Sequence, residues 1–183
     1  MYLTFFSLNP LEMASAKKNL SKYDDKTIPS ADGMTFGIVL SEWNAAITHK
    51  LYEGCFDTLL KHGAEEDNIY TVQVPGSFEL TVGAKILAGN KKLDAVICLG
   101  CVIKGETKHD EYINTAVSIG LTNLGIASGI PFIYGVLTPN TEEQAKERAG
   151  GKHGNKGVEA AVTAIRMAAL RKDLSQAKKS IGY

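Results

Sequence analysis

The chain has 183 residues, 44% of them apolar, with 20 acidic and 20 basic side chains. That length supports one domain with a sizeable core, and is too short for two ordinary ones. A zero formal charge argues against a surface that neutralises many phosphates, so extended nucleic-acid binding is not expected, and no apolar run approaches a membrane span.

Residues 1–33 carry no sustained helical or strand period and hold the turn formers Ser21, Asp24, Asp25, Pro29, Ser30, Asp32 and Gly33. They read as a partly mobile extension that orders against a neighbouring subunit. The start, MYLTFFSLNPLEMASA, lacks a basic stretch before its apolar residues, so a secretory signal is not expected.

A domain is expected over residues 34–175. Residues 35–41 (TFGIVLS) read as a buried strand, and Asn44 as the cap of a helix over 45–62 with Gly63 just beyond its end. A second strand is expected at 68–74 (NIYTVQV), then a turn at Pro75–Gly76, and a helix capped by Ser77 running to about residue 88. A third strand at 94–100 (DAVICLG) precedes the loop CVIKGETK and a long helix over about 109–128. A fourth strand at 131–137 (PFIYGVL) is followed by a capping-box pattern, Thr141 with Gln144, opening a short helix to about residue 148. After the glycine-rich AGGKHGNKG, a last helix is expected over roughly 158–174, leaving 176–183 as a polar tail.

Strands that alternate with helices and read as continuous apolar runs imply a parallel sheet covered on both faces. The expected class is α/β, a three-layer α/β/α sandwich around a four-stranded parallel sheet, in a flavodoxin-like arrangement. Ligands of such sheets sit beyond the carboxyl ends of strands, which directs attention to the residues after Ser41, Val74, Gly100 and Leu137.

Trp43, the one tryptophan, is either a packing residue or a platform for a planar heterocycle, where stacking adds about 0.5–1.5 kcal/mol beyond burial. Gly76 and Ser77 suit a turn and cap, and Glu79 the helix dipole. Alternatively, the free N–H groups of that helix start, with Glu79 as acceptor, hold a polyol or carbonyl oxygen. Gly100 and Gly105 have the glycine spacing of a phosphate loop, but Glu106 stands where its lysine belongs, which argues against an NTPase. A smaller anion fits Gly105, Glu106 and Thr107, ahead of a helix with unsatisfied N–H donors. His109 beside them is a surface residue or a proton carrier.

Cys98 and Cys101 form a C-x-x-C in an apolar strand, with Cys55 the remaining cysteine. Packing is their expected role, and three cysteines fit a reducing cytoplasm without a disulfide framework. The run from Glu147 to Gly157 is a flexible loop or an oxyanion site with Arg148 as the ligand and Lys156 assisting. No G-x-G-x-x-G is present, so a Rossmann dinucleotide site has no support.

Taken together, GIVLSEWN, VPGSFEL, LGCVIKGETKHDEY, PFIYGVLT and ERAGGKHGNKG, in this order from about residue 35 to 170, resemble the lumazine synthases. The resemblance implies a ring of subunits, usually pentameric, with sites at subunit interfaces. It implies that Trp43 stacks on a pyrimidine, that Ser77, Phe78 and Glu79 bind a ribityl chain, and that Cys101, Val102 and Ile103 lie along the heterocycle. Glu106 and Thr107 fall at a phosphate-binding backbone and His109 at the proton-transfer position. Tyr134, where the family often has Phe, closes the pocket from an adjacent subunit, and Arg148 binds phosphate, again from the neighbour. Lys156 is a weaker assignment near that anion.

The implied reaction condenses 5-amino-6-(D-ribitylamino)uracil with 3,4-dihydroxy-2-butanone 4-phosphate, without cofactor or metal. The implied partners are these small molecules, further copies of the chain in a pentamer or a sixty-subunit shell, and riboflavin synthase. A flavin-binding electron-transfer module and a purely structural shell protein are the competing classes. The ordered set of Trp43, His109 and Arg148 favours the enzyme.

Overall fold

Two fully buried strands form the centre of the computed structural model, which describes residues 21–180. β1 (Phe36–Ser41) has no exposed position, and β2 (Ile69–Val74) flanks it at one edge of the sheet. β3 (Ala95–Cys101) is buried throughout and pairs with β1 on its other side, and β4 (Phe132–Leu137) closes the far edge. The order is β2-β1-β3-β4 and every pairing is parallel. Each strand begins one residue later than the apolar runs predict.

Successive side chains leave a strand on opposite faces, so each central strand feeds two cores. Phe36, Ile38, Leu40, Ile97 and Leu99 enter one core, against α1 (Ala45–Lys61), α4 (Glu142–Glu147) and α5 (Lys156–Ser180). Val39, Val96 and Cys98 enter the other, against α2 (Leu80–Asn90) and α3 (His109–Ser128). This is the three-layer α/β sandwich expected from the sequence. Among the described residues, no helix is long and apolar enough to cross a membrane.

The ends of elements depart from expectation where tertiary partners intervene. Helix α5 starts at Lys156, because the Asn155 carboxamide oxygen accepts the Gly157 N–H at 2.7 Å. It continues to Ser180, so residues 176–180 of the expected tail are helical. That run lacks glycine and proline and is rich in helix formers. The glycine-rich segment before α5 is an antiparallel ribbon, β5 (Ala149–Gly151) with β6 (Gly154–Asn155). At α4 the expected cap is present, with Thr141 Oγ1 accepting the Gln144 N–H at 3.2 Å.

Residues 1–20 of the expected extension lie outside the described residues. Residues 21–33 pack on the domain. Ser21 exchanges two hydrogen bonds with the backbone of Asn155, at 2.6 and 3.0 Å. Asp25 pairs with Lys61 at 2.8 Å, the Ala31 N–H reaches the His62 carbonyl at 2.8 Å, and Ile28 and Ala31 join the first core.

Helices α1 and α5 approach closely enough that a Cβ on Gly157 would overlap the Leu51 carbonyl, which is backbone and unable to rotate away. Gly157→Ala should therefore destabilise by about 1–3 kcal/mol. Gly89→Ala, in a helix with open space around the site, should be neutral or raise stability by about 0.4–1 kcal/mol. Thermal or denaturant melting of the two variants checks the contrast, and equal midpoints would refute it.

Candidate active site

The parallel pairing of β1 with β2 and β3 brings the turns after Ser41, Val74 and Cys101 together at one end of the sheet. They enclose a cleft of about 690 Å³. The β1–β2 pairing persists past the strands, with the Glu42 N–H bonded to Val74 O at 2.9 Å and the Trp43 N–H to Pro75 O at 3.1 Å. Asn44 then reverses the chain in a left-handed conformation, φ +63°, the one non-glycine case among the described residues.

Its side chain does not cap α1 as the sequence suggests. The carboxamide nitrogen instead donates to the Cys101 carbonyl at 2.9 Å, tying the first loop to the third. Trp43 is left 74% exposed at the cleft wall. Packing within its own chain is therefore not its role. Asn44 is a positioning residue that sequence reading treated as an ordinary cap. An asparagine directly after a buried strand, where left-handed backbone is tolerable, was the available signal.

Ser77 also differs from its expected capping role. It opens a 3-10 turn, Ser77–Glu79, ahead of α2. Its buried hydroxyl points to the Ser41 hydroxyl at 3.5 Å, near the limit of a hydrogen bond. The turn is held by Glu79, whose carboxylate accepts the Gly76 N–H at 3.0 Å. Gly100 permits this approach, since a Cβ there would lie 2.6 Å from the Ser77 hydroxyl oxygen. Phe78 projects beside the cleft, 58% exposed.

Along the cleft floor, Cys101, Val102 and Ile103 continue β3, and the Val102 N–H donates to Leu137 O at 2.8 Å. Thr107 and His109 line the opposite wall at the start of α3. Thr107 Oγ1 lies 3.4 Å from the His109 N–H, and no side-chain bond caps the helix from Lys108. The first-turn amides and the positive end of the helix dipole thus face the cleft, an arrangement suited to an anion. Glu106 is exposed and outside the cleft lining.

The remaining predicted residues do not join this cleft. Tyr134, Arg148 and Lys156 line a separate cavity of about 580 Å³ beyond β4. There Arg148 Nη1 donates to the His153 carbonyl at 3.1 Å. Its Nη2 approaches Glu159 Oε1 to 3.1 Å, although the better-aligned hydrogen bond is to Oε2 at 3.4 Å. Lys156 Nζ reaches the same carboxylate at 3.1 Å. Two cations share the Glu159 carboxylate, and Glu147 also lines the cavity, so the donors of Arg148 and Lys156 and not a net positive charge are what it offers an oxyanion. Glu159 drew no reading from the sequence, where an acid in a first helical turn is ordinary.

The three cysteines are free and buried. Burial pushes all three thiols up, that of Cys101 to about 11. The C-x-x-C is thus a packing feature and not a redox pair.

These observations define an α/β enzyme-type architecture: a cleft at the carboxyl end of a parallel sheet, with a second cavity holding Arg148 and Lys156 elsewhere on the same protomer. The sequence profile described as 6,7-dimethyl-8-ribityllumazine synthase matches residues 33–172. The 6,7-dimethyl-8-ribityllumazine synthase of Parabacteroides distasonis is 56% identical over 155 residues, covering 85% of this chain and 97% of that one. The protein of the same name from Cytophaga hutchinsonii is 56% identical over 157 residues, covering 86% and 98%. That from Flavobacterium psychrophilum is 54% identical over 159 residues, covering 87% and 84%. The chain belongs to the 6,7-dimethyl-8-ribityllumazine synthase family, a family of transferase-type condensing enzymes.

A raised thiol pKa keeps the nucleophilic thiolate scarce until the pH approaches that value, and burial also blocks access. The folded protein should therefore resist iodoacetamide at pH 7–8, whereas denaturant should expose three reactive thiols. Mass spectrometry counts the adducts, and rapid native labelling of Cys101 would contradict its buried placement.

Proposed function

We propose that this chain condenses 5-amino-6-(D-ribitylamino)uracil with 3,4-dihydroxy-2-butanone 4-phosphate to give 6,7-dimethyl-8-ribityllumazine, phosphate and water, the penultimate step of riboflavin biosynthesis. The observation that carries the reading is the division of the site. A cleft lined by Trp43, Phe78 and His109 occupies one part of the protomer, and a cavity lined by Arg148 and Lys156 another; together they offer the groups the two substrates need.

In this reading Trp43 stacks on the pyrimidine, while Ser77, Phe78 and Glu79 border the ribityl chain. Cys101, Val102 and Ile103 offer main chain and apolar surface along the heterocycle. The 5-amine attacks the ketone, and loss of water gives an imine. Phosphate leaves, the chain reorients, and the 6-ribitylamino nitrogen closes the ring with loss of a second water. His109 carries protons between the amine and the departing oxygens. The helix start at Thr107, with the Glu106 backbone, and Arg148 with Lys156 from a neighbouring subunit hold the phosphate. Tyr134 of that neighbour closes the cleft. No step changes oxidation state, so neither a nicotinamide nor a flavin is called for.

A second copy completing each site agrees with the exposed apolar side chains Val82 and Ile86 of α2 and Ile119 and Ile126 of α3, each more than half exposed. Rows of this kind on a folded chain mark contact surfaces. We assign the chain to a homo-oligomer of pentamers in the cytoplasm, with riboflavin synthase as the consumer of its product. The short segment from Gly150 to Gly157 has no insertion that would splay the last helices from a neighbouring pentamer, so a sixty-subunit shell is favoured over a free pentamer.

Mixing the protein with the two substrates should produce lumazine fluorescence, and its absence would overturn the proposal. His109→Ala should slow turnover about 10²-fold, the low end for acid–base assistance, because positioning supplies much of the rate of an easy condensation. Unchanged turnover at saturation would remove His109 from the mechanism.

Sedimentation tests the assembly separately. Chains of 19.7 kDa in a sixty-subunit shell should sediment above about a megadalton, against about 100 kDa for a pentamer. A pentamer alone would refute the shell and leave the chemistry intact.

A further inference from the structure

The glycine-rich ribbon carries an interaction that the assignment above does not use. Two of its three glycines, Gly150 and Gly154, have left-handed backbone angles, φ +106° and +87°. The ribbon therefore turns at residues with wide conformational freedom. His153 lies between them and is bonded to Glu147 at two points. Its N–H donates to the Glu147 carbonyl at 2.9 Å, and its Nε2 lies 3.1 Å from Glu147 Oε2. The carbonyl of the same histidine accepts Arg148 Nη1 at 3.1 Å. Both His153 and Glu147 line the cavity that contains Arg148 and Lys156.

The Glu159 carboxylate anchors Arg148 at one nitrogen, Nη2. A guanidinium held at one nitrogen keeps rotational freedom about that anchor. A second acceptor on the other terminal nitrogen fixes the plane of the fork, and a fixed plane is what bidentate recognition of an oxyanion requires. That second acceptor is a backbone carbonyl in a ribbon with glycine hinges on both sides. It stays in place when something ties the ribbon to a fixed element, and the His153–Glu147 pair ties it to the last residue of α4.

We propose that His153 and Glu147 form a clasp that positions Arg148 for the phosphate of the keto-phosphate substrate. They are positioning residues, acting through the arginine. The inference rests on the reading of Arg148 as a phosphate ligand. Both side chains are partly exposed, 23% and 44%, so screening by water keeps the effect modest. The change falls on binding of one substrate and not on chemistry or on the other substrate.

Steady-state kinetics on the full chain, varying each substrate in turn, tests this. His153→Ala should raise the apparent KM for the keto-phosphate about three- to fivefold, the size of effect a partly exposed polar side-chain pair supports, with kcat and the pyrimidine KM unchanged. His153→Gln, whose amide can still donate to Glu147, should recover most of the loss and guards against a misfolded alanine variant. Arg148→Ala should raise the same KM further, and adding His153→Ala to it should change nothing more.

If Arg148→Ala raises that KM while His153→Ala does not, the clasp is wrong and the phosphate reading stands. Equal changes in both Michaelis constants, or an effect that adds to that of Arg148→Ala, would also overturn the clasp as a merely structural contact. If Arg148→Ala leaves the keto-phosphate KM unaltered, the underlying reading falls and the clasp falls with it.

Discussion

One hydrogen bond, from the Asn44 carboxamide to the Cys101 carbonyl at 2.9 Å, holds together the two loops on which the cleft depends. The bond exists because β1 and β3 pair in parallel, with Leu40 opposite Leu99, so their carboxyl ends emerge side by side. Asn44 reaches across because it adopts a left-handed backbone that few residue types tolerate. The same reversal projects Trp43 outward. Gly100 admits the Ser77 hydroxyl to the adjacent strand end, which lets the second loop approach. An indole face, a polar turn and a helix start therefore converge through backbone geometry, with few direct bonds between the side chains themselves.

The second half of the site is built differently. Arg148 terminates α4, and Lys156 and Glu159 lie in the first turn of α5. What joins them is the short ribbon between the helices, with its pairing of Ala149 to Asn155. That ribbon is itself attached to the rest of the domain through Asn155, whose carboxamide donates to the Lys50 carbonyl and accepts the Gly157 N–H, and whose backbone N–H donates to the Ser21 hydroxyl. The cavity of Arg148 and Lys156 is thus fixed by the packing of α5 on α1. Substitutions at that helix contact, remote from any anion, should be felt at Arg148.

The sequence made the sheet legible because buried parallel strands are continuous apolar runs, and α3 was read with the ends it has, His109 to Ser128. The motif residues split between two cavities, with Tyr134, Arg148 and Lys156 in the second and Glu106 in neither. What sequence reading missed shares one physical cause. Asn44 and Ser77 are good capping types, yet each found a tertiary partner that outcompeted the local bond. AGGKHGNKG has no hydrophobic period, so a ribbon held by backbone pairing and side-chain clasps left no trace in the pattern. Glu159 drew no reading at all, because a single sequence does not reveal that Arg148, eleven residues earlier, folds back onto it. Local propensity located elements well, and polar contacts between residues distant in the same chain were where it failed.

The exposed aromatics give the last link between structure and assembly. Trp43 and Phe78 leave large apolar faces in water, a cost that a lone protomer does not recover by packing. Burial of such faces becomes favourable when a planar ligand and an apolar neighbour cover them together. Anything that binds the assembled form and not the separated one stabilises assembly by mass action. With the cleft and the cavity of Arg148 on different parts of the chain, ligand occupancy and subunit association in the proposed oligomer would draw on the same buried surface. Under that proposal a weakening of either would weaken the other, which makes the site and the oligomer one thermodynamic unit.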